Sequence, residues 1–225
     1  MAARPNLVVL KRKILETEFI IKICGITRRE DFGYILRQPE VNAVGFVAYP
    51  PSKRFVTYEN VGEIISGCDR AILKVGVFVD ASFDFIMSYV RGGLEVAQLH
   101  GDEPPEFAEK LSREVRVWKA LRPRSAGEID SFTSYPAEKF LIDAFSEGLK
   151  GGTGLQVDRE MAIHAVEILP GPVILSGGLT PENVTEALRA VSPAGVDVSS
   201  GVEISPGVKD TARVRSFISA VSEAI

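Results

Sequence analysis

Cysteine and histidine are scarce in this sequence, and each scarcity excludes a class of protein. The 225 residues include two cysteines, Cys24 and Cys68, and two histidines, His100 and His164. Two cysteines in unrelated contexts do not form a disulfide framework, and they favour a reducing, cytoplasmic location. No His, Cys, Asp and Glu residues follow metal-ligand spacing, and neither glycine-rich nucleotide motif, G-x-G-x-x-G or the P-loop, is present. We therefore expect neither a metal nor a nucleotide cofactor.

Positive charge and long apolar runs are also lacking. The 26 lysines and arginines are outnumbered by 30 acidic residues, which gives a net charge of −4. No basic face is then available for a nucleic-acid backbone. Apolar runs are short: residues 19–21 and 71–73, for example, end at Lys22 and Lys74, far short of the roughly 20 residues that a membrane-spanning helix needs. The sequence therefore predicts neither a nucleic-acid nor a membrane partner.

Short apolar runs rich in β-branched residues alternate with segments of helical periodicity eight times. Short, mostly apolar runs are typical of buried parallel strands. Eight such units predict a single (β/α)8 TIM barrel of the α/β class, with a doubly wound sheet as the alternative. Strands are predicted at Phe19–Cys24, Ala43–Val47, Leu73–Val79, Glu95–Leu99, Arg116–Ala120, Phe140–Ala144, Val173–Ser176 and Val196–Ser199. Helices are predicted at Arg28–Leu36, Glu59–Ser66, Phe83–Val90, Glu106–Ser112, Ala126–Phe132, Asp158–Leu169, Pro181–Ala190 and Thr211–Ala224, the seventh with Thr180 as its N-cap.

The first 17 residues depart from this pattern. Arg4, Lys11, Arg12 and Lys13 precede the first acidic residue, Glu16. The segment lacks the continuous apolar h-region of a signal peptide, so a secretory signal is not expected. We interpret residues 1–17 as an N-terminal extension and residues 18–225 as the catalytic barrel domain, because no Pro/Gly/Ser-rich linker divides the remainder.

Glycines and small polar residues follow the last three predicted strands. The runs are Gly151-Gly152-Thr153-Gly154, Ser176-Gly177-Gly178 and Ser199-Ser200-Gly201. Active sites of barrel enzymes lie where the strands end and the following loops begin. Glycines there let backbone N–H groups approach an anion without hindrance from a Cβ atom. The three runs together predict a phosphate-binding cup formed by Gly154, Gly177, Gly178, Ser199, Ser200 and Gly201.

Several motifs give the sequence a specific resemblance to a known family. They are KICGIT at 22–27, AQLHGDE at 97–103, LIDAF at 141–145, GGTG at 151–154, SGGLTPENV at 176–184 and VDVSSGVE at 196–203, followed by PGVKD. The chain resembles the phosphoribosylanthranilate isomerases of the tryptophan pathway, from about Ile20 to the C-terminus. The resemblance implies an Amadori rearrangement of N-(5-phosphoribosyl)anthranilate, a small phosphosugar, without a cofactor. The oligomeric state, monomer or homodimer, stays open.

The implied chemistry needs a general acid for the ring oxygen and a general base for the C2 proton. The resemblance assigns the base to Cys24 and the acid to Asp143. Strand alternation supports both, because each residue is the last inward-facing one on its predicted strand. An unpaired, partly desolvated Asp143 would favour its protonated form. Cys24 is expected to be substantially thiolate near neutral pH, helped by a neighbouring cation, whereas Cys68 is expected on the outer ring.

The resemblance also assigns binding roles. Arg54 is expected to pair with the anthranilate carboxylate, for which a guanidinium fork is suited. Asp197 is expected near a sugar hydroxyl or the anilino nitrogen, with pairing to the inward-facing Lys22 as the alternative. Gln98 and His100 share a strand face and are expected to line the pocket, although a core role for His100 is equally compatible with the sequence.

The sequence departs from the family pattern at several positions. Ala48 stands where relatives have an aromatic residue and Lys53 where they have proline, which predicts an altered anthranilate pocket. Residues 157–159, Val-Asp-Arg, replace a Phe-Asp-Trp signature and are expected to affect packing.

A different sugar-phosphate barrel enzyme would need a strand-end lysine with glutamates, and Lys119 is the only lysine that fits. A non-catalytic phosphate-binding module is the other alternative.

Overall fold

The computed structural model describes residues 19–143 and 154–225, with backbone only for residues 154–158. Residues 1–18 and 144–153 lie outside the described residues. The predicted extension at 1–17 and the Gly151-Gly152-Thr153 segment therefore stay predictions.

Eight parallel strands close into a barrel in sequence order, with the eighth paired to the first. This arrangement confirms the TIM barrel and excludes the doubly wound sheet. Each predicted strand agrees with the observed one to within one residue at either end. The strands are β1 Ile20–Ile23, β2 Ala43–Val47, β3 Leu73–Phe78, β4 Val96–Leu99, β5 Arg116–Leu121, β6 Lys139–Asp143, β7 Val173–Ser176 and β8 Gly195–Val198.

Helices follow the strands and form the outer layer of the barrel. Several begin at side-chain caps: Thr57, Ser82 and Ser125 each accept a hydrogen bond from a backbone N–H three residues on. No helix in the described part of the chain is long and apolar enough to cross a membrane. The helices are α1 Arg29–Ile35, α2 Tyr58–Ile65, α3 Phe83–Arg91, α4 Pro105–Ser112, α5 Ala126–Asp130, α6 Gly154–Ile168, α7 Val184–Val191 and α8 Thr211–Ser222.

The predicted start of α7 is wrong. Thr180 was expected as the N-cap, but the helix begins at Val184. The Asn183 side chain accepts from the Thr180 N–H at 2.8 Å and donates to the Gly178 carbonyl at 3.0 Å. These hydrogen bonds hold residues 180–183 in a turn, because an Asn side chain competes with the backbone for local partners. The α5 helix also ends at Asp130, two residues before its predicted end at Phe132.

Strand alternation separates two apolar clusters. The larger one fills the space between the strands and the helices. The smaller one lies inside the barrel and includes Ile20, Val75, Trp118, Leu141 and Ile174. These inner residues come from the first parts of their strands, so they form an apolar floor. The inward-facing positions that follow them towards the strand ends carry the polar side chains of the site.

A 3-10 turn and a short hairpin follow β8. The chain forms a single 3-10 turn at Ser200–Val202 and then a hairpin of β9, Glu203–Ser205, and β10, Val208–Lys209. The Thr27 hydroxyl, in the loop after β1, donates to the Gly207 carbonyl at 2.6 Å. The hairpin is thereby fixed next to the end of β1.

Candidate active site

A cavity of about 810 Å³ opens at the C-terminal ends of the strands. Its wall combines carboxylate, guanidinium, thiol and hydroxyl groups with a few apolar side chains. Of the twelve site residues predicted from the sequence, eleven line this cavity: Cys24, Arg54, Gln98, His100, Asp143, Gly177, Gly178, Asp197, Ser199, Ser200 and Gly201. The twelfth, Gly154, begins α6 beside residues 144–153, and its position relative to the cavity stays a prediction.

Cys24 directly follows β1 and is 7% exposed. Its N–H donates to the Val198 carbonyl at 2.8 Å, which continues the β1–β8 ladder by one residue. Its sulfur packs against Gly45 on β2, so closely that a Cβ atom there would lie 2.5 Å from Sγ. The thiol is therefore fixed in position by the barrel wall. Cys68, by contrast, lies after α2, and its Sγ contacts the Arg70 carbonyl at 3.6 Å.

The expected thiolate character of Cys24 is not supported. Burial raises the pKa of the Cys24 thiol, and the nearby Asp197 carboxylate adds to this. Lys22 and Lys209 act in the opposite direction, but the net pKa stays above the ordinary value. The raised pKa favours the thiol form of Cys24 at neutral pH, and the thiolate, once formed, is a strong base.

Lys22 and Asp197 form an ion pair inside the barrel, with Nζ 2.9 Å from Oδ1. The pairing left open by the sequence is therefore present. Lys22 is fully buried, and burial alone would lower its pKa, but Asp197 and Cys24 outweigh burial and raise it. Asp197 keeps 11% of its side chain exposed to the cavity. It can therefore hold Lys22 and contact a ligand at the same time.

Asp143 is the last residue of β6 and lines the cavity. The expectation of an unpaired carboxylate is wrong, because Arg122 Nε lies 3.4 Å from Asp143 Oδ2. Sequence reasoning missed Arg122, since it ended the fifth strand at Ala120. The signal was alternation, which places residue 122 on the inner face together with Trp118 and Ala120.

Gln98 and His100 lie on the inner face of β4 and the residue that follows it. The Gln98 Nε2 and His100 Nδ1 atoms are 3.4 Å apart. Burial lowers the pKa of His100 to about 3, and the positive charges of Arg122, Lys22 and Lys119 contribute. The imidazole is therefore neutral across the physiological range, suited to hydrogen bonding rather than to charge compensation.

Arg54 forms a two-pronged ion pair with Glu203. Its Nε lies 2.9 Å from Oε1, and a terminal nitrogen lies 2.6 Å from Oε2. Glu203 in turn binds the Lys209 ammonium, with Nζ 2.7 Å from Oε1. Sequence reasoning quoted Glu203 and Lys209 within motifs but gave them no role, because only the folded hairpin brings them together.

Apart from Gly154, the residues of the expected phosphate cup line the same cavity, on the loops after β7 and β8. Gly177 and Gly178 have φ values of +81° and +60°, which residues with a Cβ atom rarely adopt. Arg213, another residue missed from the sequence, lines the same cavity. Its Nε donates to the Gly201 carbonyl at 2.8 Å, and a terminal nitrogen lies 3.0 Å from Glu182 Oε2.

The two substitutions expected to alter the anthranilate pocket lie outside the cavity wall. Ala48 is 2% exposed and belongs to the outer cluster between strands and helices. Lys53 is exposed and does not line the cavity. Alternation after β2 instead directs Tyr49 towards the cavity, together with Val47. The residue missed by the sequence analysis was thus the aromatic neighbour of Ala48.

Lys119 is excluded as a strand-end catalytic lysine. Its neighbours on β5, Trp118 and Ala120, face the inside of the barrel, so Lys119 faces outwards. Its Nζ lies 2.8 Å from Glu103 Oε2, and both side chains are almost fully buried. A glutamate does accompany this lysine, but neither residue of the pair lines the cavity.

Comparisons with known proteins agree with this geometry. The family model described as N-(5'phosphoribosyl)anthranilate (PRA) isomerase matches residues 21–220. A curated N-(5'-phosphoribosyl)anthranilate isomerase from Geotalea uraniireducens is 46% identical over 199 residues, which are 88% of this chain and 96% of that protein. The crystal structure of the Thermotoga maritima enzyme has a TM-score of 0.80 and 33% identity, and covers 91% of this chain and 98% of its own. A PRA isomerase in complex with reduced 1-(o-carboxyphenylamino)-1-deoxyribulose 5-phosphate has a TM-score of 0.75 and 33% identity over the same shares. This chain belongs to the N-(5'-phosphoribosyl)anthranilate isomerase family.

Proposed function

We propose that Cys24 and Asp143 are the general base and general acid of the isomerisation that this family catalyses. The chain is an isomerase of tryptophan biosynthesis, acting on N-(5'-phosphoribosyl)anthranilate. The product is 1-(2-carboxyphenylamino)-1-deoxyribulose 5-phosphate, so an aldose becomes a ketose within one molecule. The observation that carries the residue assignment is that Cys24, Asp143, Arg54 and the glycine-rich loops line one cavity.

The reaction divides into proton transfers that these two groups can perform. Asp143, in its protonated form, gives its proton to the ring oxygen while the C1–O bond breaks. The positive charge of the resulting iminium acidifies the C2 proton, which the Cys24 thiolate removes to give an enolamine. The enolamine then takes up a proton at C1 as its C2 hydroxyl becomes the ketone. The overall reaction consumes no proton and no electron, in keeping with the prediction that no cofactor is used.

The two ends of the substrate bind to different loops of the cavity in this proposal. Arg54 pairs with the anthranilate carboxylate, and the loops after β7 and β8 bind the phosphate through Gly177, Gly178, Ser199, Ser200 and Gly201. Gly154 is included from its predicted position in the third loop. Holding both ends places C1 and C2 between the acid and the base, which is the main source of rate enhancement from orientation.

The remaining polar groups serve the sugar. Asp197 accepts a hydrogen bond from a sugar hydroxyl or the anilino nitrogen while holding Lys22. Gln98 and the neutral His100 contribute hydrogen bonds to the same part of the substrate. Arg122, beside Asp143, is placed to orient that carboxylate.

The setting of the enzyme follows from the same chemistry. We place it in the cytoplasm, because both cysteines are free and the proposed base must stay reduced. Its partner is a small phosphosugar, with neither nucleic acid nor membrane involved. The prediction of a monomer or homodimer can be decided by light scattering.

The test of the base is Cys24→Ser. The volume change is small, so the fold is retained, but a serine hydroxyl is almost never ionised near neutral pH. We expect kcat to fall by several orders of magnitude, measured as the loss of fluorescence of freshly made phosphoribosylanthranilate. Cys68→Ser is the matched control and should leave turnover nearly unchanged. Activity of Cys24→Ser within about tenfold of the parent protein would remove Cys24 from the mechanism.

A further inference from the structure

Three charged side chains form a continuous chain at the site, in which Arg54 and Glu203 line the cavity and Lys209 does not. Arg54 binds Glu203, and Glu203 binds Lys209. The Glu203 side chain is 4% exposed and that of Lys209 1%, whereas Arg54 keeps 25% of its side chain exposed. The arginine therefore presents the largest surface of the three, Glu203 reaches the cavity wall but is almost covered, and Lys209 lies behind them.

The Arg54–Glu203 contact uses one particular edge of the guanidinium. Glu203 accepts from Nε and from one terminal nitrogen, which is the side-on edge of the planar group. The end-on edge, formed by both terminal nitrogens, has the parallel N–H bonds that a second carboxylate accepts. The stem of Arg54 packs against Gly25, where an added Cβ atom would lie 2.6 Å from Arg54 Cδ.

With Arg54 and Lys209 protonated and Glu203 ionised, the charges of the three groups leave one positive charge in excess. Burial lowers the pKa of Lys209, and the Glu203 carboxylate opposes that effect. Glu203 stays ionised: burial tends to raise its pKa, but Arg54 and Lys209 outweigh this and lower it. A Glu203 carboxylate paired with Arg54 alone would cancel the charge that attracts an anionic ligand. Lys209 compensates that carboxylate, so the Arg54 charge remains available to the cavity.

Lys209 also contacts the segment that carries the proposed base. Its Nζ donates to the Cys24 carbonyl and lies 3.4 Å from the Ser199 carbonyl. Its own backbone N–H donates to Asp31 Oδ2 at 3.1 Å. The ammonium thus joins the ends of β1 and β8 to the carboxylate that orients Arg54.

We propose that Glu203 is a positioning residue for this isomerase. It turns the Arg54 guanidinium so that the end-on edge faces the substrate carboxylate, and Lys209 offsets the charge of Glu203 so that it does not repel that carboxylate. The proposal rests on the carboxylate-binding role proposed for Arg54.

A double-mutant cycle tests this proposal. Glu203→Gln, Arg54→Met and the double variant are compared by KM for phosphoribosylanthranilate, Ki for inorganic phosphate and thermal unfolding. We expect Glu203→Gln to raise KM about tenfold or more in the parent protein. In the Arg54→Met background the same change should alter KM by less than about twofold, because its target is gone. Ki for phosphate should stay unchanged in all variants.

The result that would overturn the proposal is an equal rise in KM with and without Arg54, or no rise in either background. An unchanged KM in Arg54→Met alone would instead contradict the proposed role of Arg54, so the two failures can be told apart. Glu138→Gln is the control, because Glu138 also pairs with an arginine, Arg116, but at the opposite end of the barrel. The KM of the Glu138→Gln variant should equal that of the parent protein.

A second variant keeps the proposal testable if Glu203→Gln does not fold. Lys209→Met leaves the Glu203 carboxylate uncompensated beside Arg54, so KM for phosphoribosylanthranilate should rise. Lys209→Arg retains the charge and should restore KM to within about threefold of the parent. A normal KM in Lys209→Met would contradict the charge-compensating role.

Discussion

The thiol of Cys24 is held by contacts that leave no room for an added methyl group. A Cβ atom at Gly45 would lie 2.5 Å from the Cys24 sulfur and 3.1 Å from its Cα. The second contact is to backbone, so rotation of the side chain alone cannot relieve the clash. The glycine on β2 is therefore part of what positions the base at the end of β1.

Gly45→Ala tests this packing. We expect the alanine to displace the thiol and lower kcat by up to about 100-fold, because a misplacement of about 1 Å has effects of that size. KM should change less, since Gly45 does not line the cavity. The matched control is Gly62→Ala in α2, where an added Cβ meets nothing within 4 Å and helix stability should rise by about 0.5–1 kcal/mol. A parental kcat in Gly45→Ala would show that the base tolerates displacement.

The pH dependence of Cys24 follows from its surroundings. Burial raises its pKa, whereas Lys22 and Lys209 counteract this. The base must be deprotonated to act, so its reactive fraction should increase as pH rises through this elevated pKa. Alkylation by iodoacetamide measures this in a Cys68→Ser background, where Cys24 is the remaining cysteine. The rate of Cys24 alkylation should increase with a midpoint at higher pH than the rate of glutathione alkylation does.

Lys209→Met should move the alkylation profile to still higher pH, because it removes a charge that favours the thiolate. Burial also slows access, so the midpoint of the profile is the informative quantity rather than the rate. A midpoint at or below that of the free thiol would contradict the elevated pKa.

At the scale of elements, the cavity joins loops from two flanks of the barrel. Arg54 belongs to the loop after β2, while the proposed phosphate cup belongs to the loops after β7 and β8. The flanks are tied together at the back by the β9–β10 hairpin, through Glu203 and Lys209. Binding of the two ends of the substrate should therefore be separable by mutation of exposed groups.

Arg54→Met tests that separation. It removes the guanidinium but keeps the volume of the stem, so affinity for the anthranilate end should fall by roughly 1.5–3 kcal/mol. KM for the substrate should rise accordingly, while Ki for inorganic phosphate should not change. Lys53→Ala is the control, because Lys53 is an exposed neighbour that does not line the cavity. A joint rise of KM and Ki would mean that Arg54 supports the whole rim.

At the scale of the molecule, periodicity in the sequence predicted the barrel well, because each buried strand is a short, mostly apolar run. It also placed Cys24 and Asp143 at strand ends, where local order fixes the direction of side chains. It did not predict the pairing of Arg54 with Glu203 or of Asp143 with Arg122. These contacts join residues that are distant in sequence or lie past a predicted strand end, so their geometry depends on barrel closure and loop conformation.

Barrel closure itself depends on a polar side chain between β1 and β2. Only two residue pairs are in register between these strands, compared with four between β1 and β8. Asn42, which precedes β2 at the end opposite the active site, supplies two further hydrogen bonds. Its Oδ1 accepts from the Ile21 N–H at 2.9 Å, and its Nδ2 donates to the Phe19 carbonyl at 2.8 Å. The side chain is 8% exposed, so water is a poor substitute for it.

Asn42→Ala should therefore destabilise the whole barrel without affecting the site. Leaving the buried Ile21 N–H and the Phe19 carbonyl without this partner should lower the free energy of unfolding by about 1–3 kcal/mol. For a chain of this size each kcal/mol corresponds to roughly 2–4 °C in Tm, which calorimetry or circular dichroism would resolve. KM and kcat at 25 °C should stay at parental values, because the change lies at the far end of β1. Asn60→Ala on the exposed face of α2 removes the same side chain without a barrel contact, and an equal loss of stability in both variants would contradict the proposed role of Asn42 in closure.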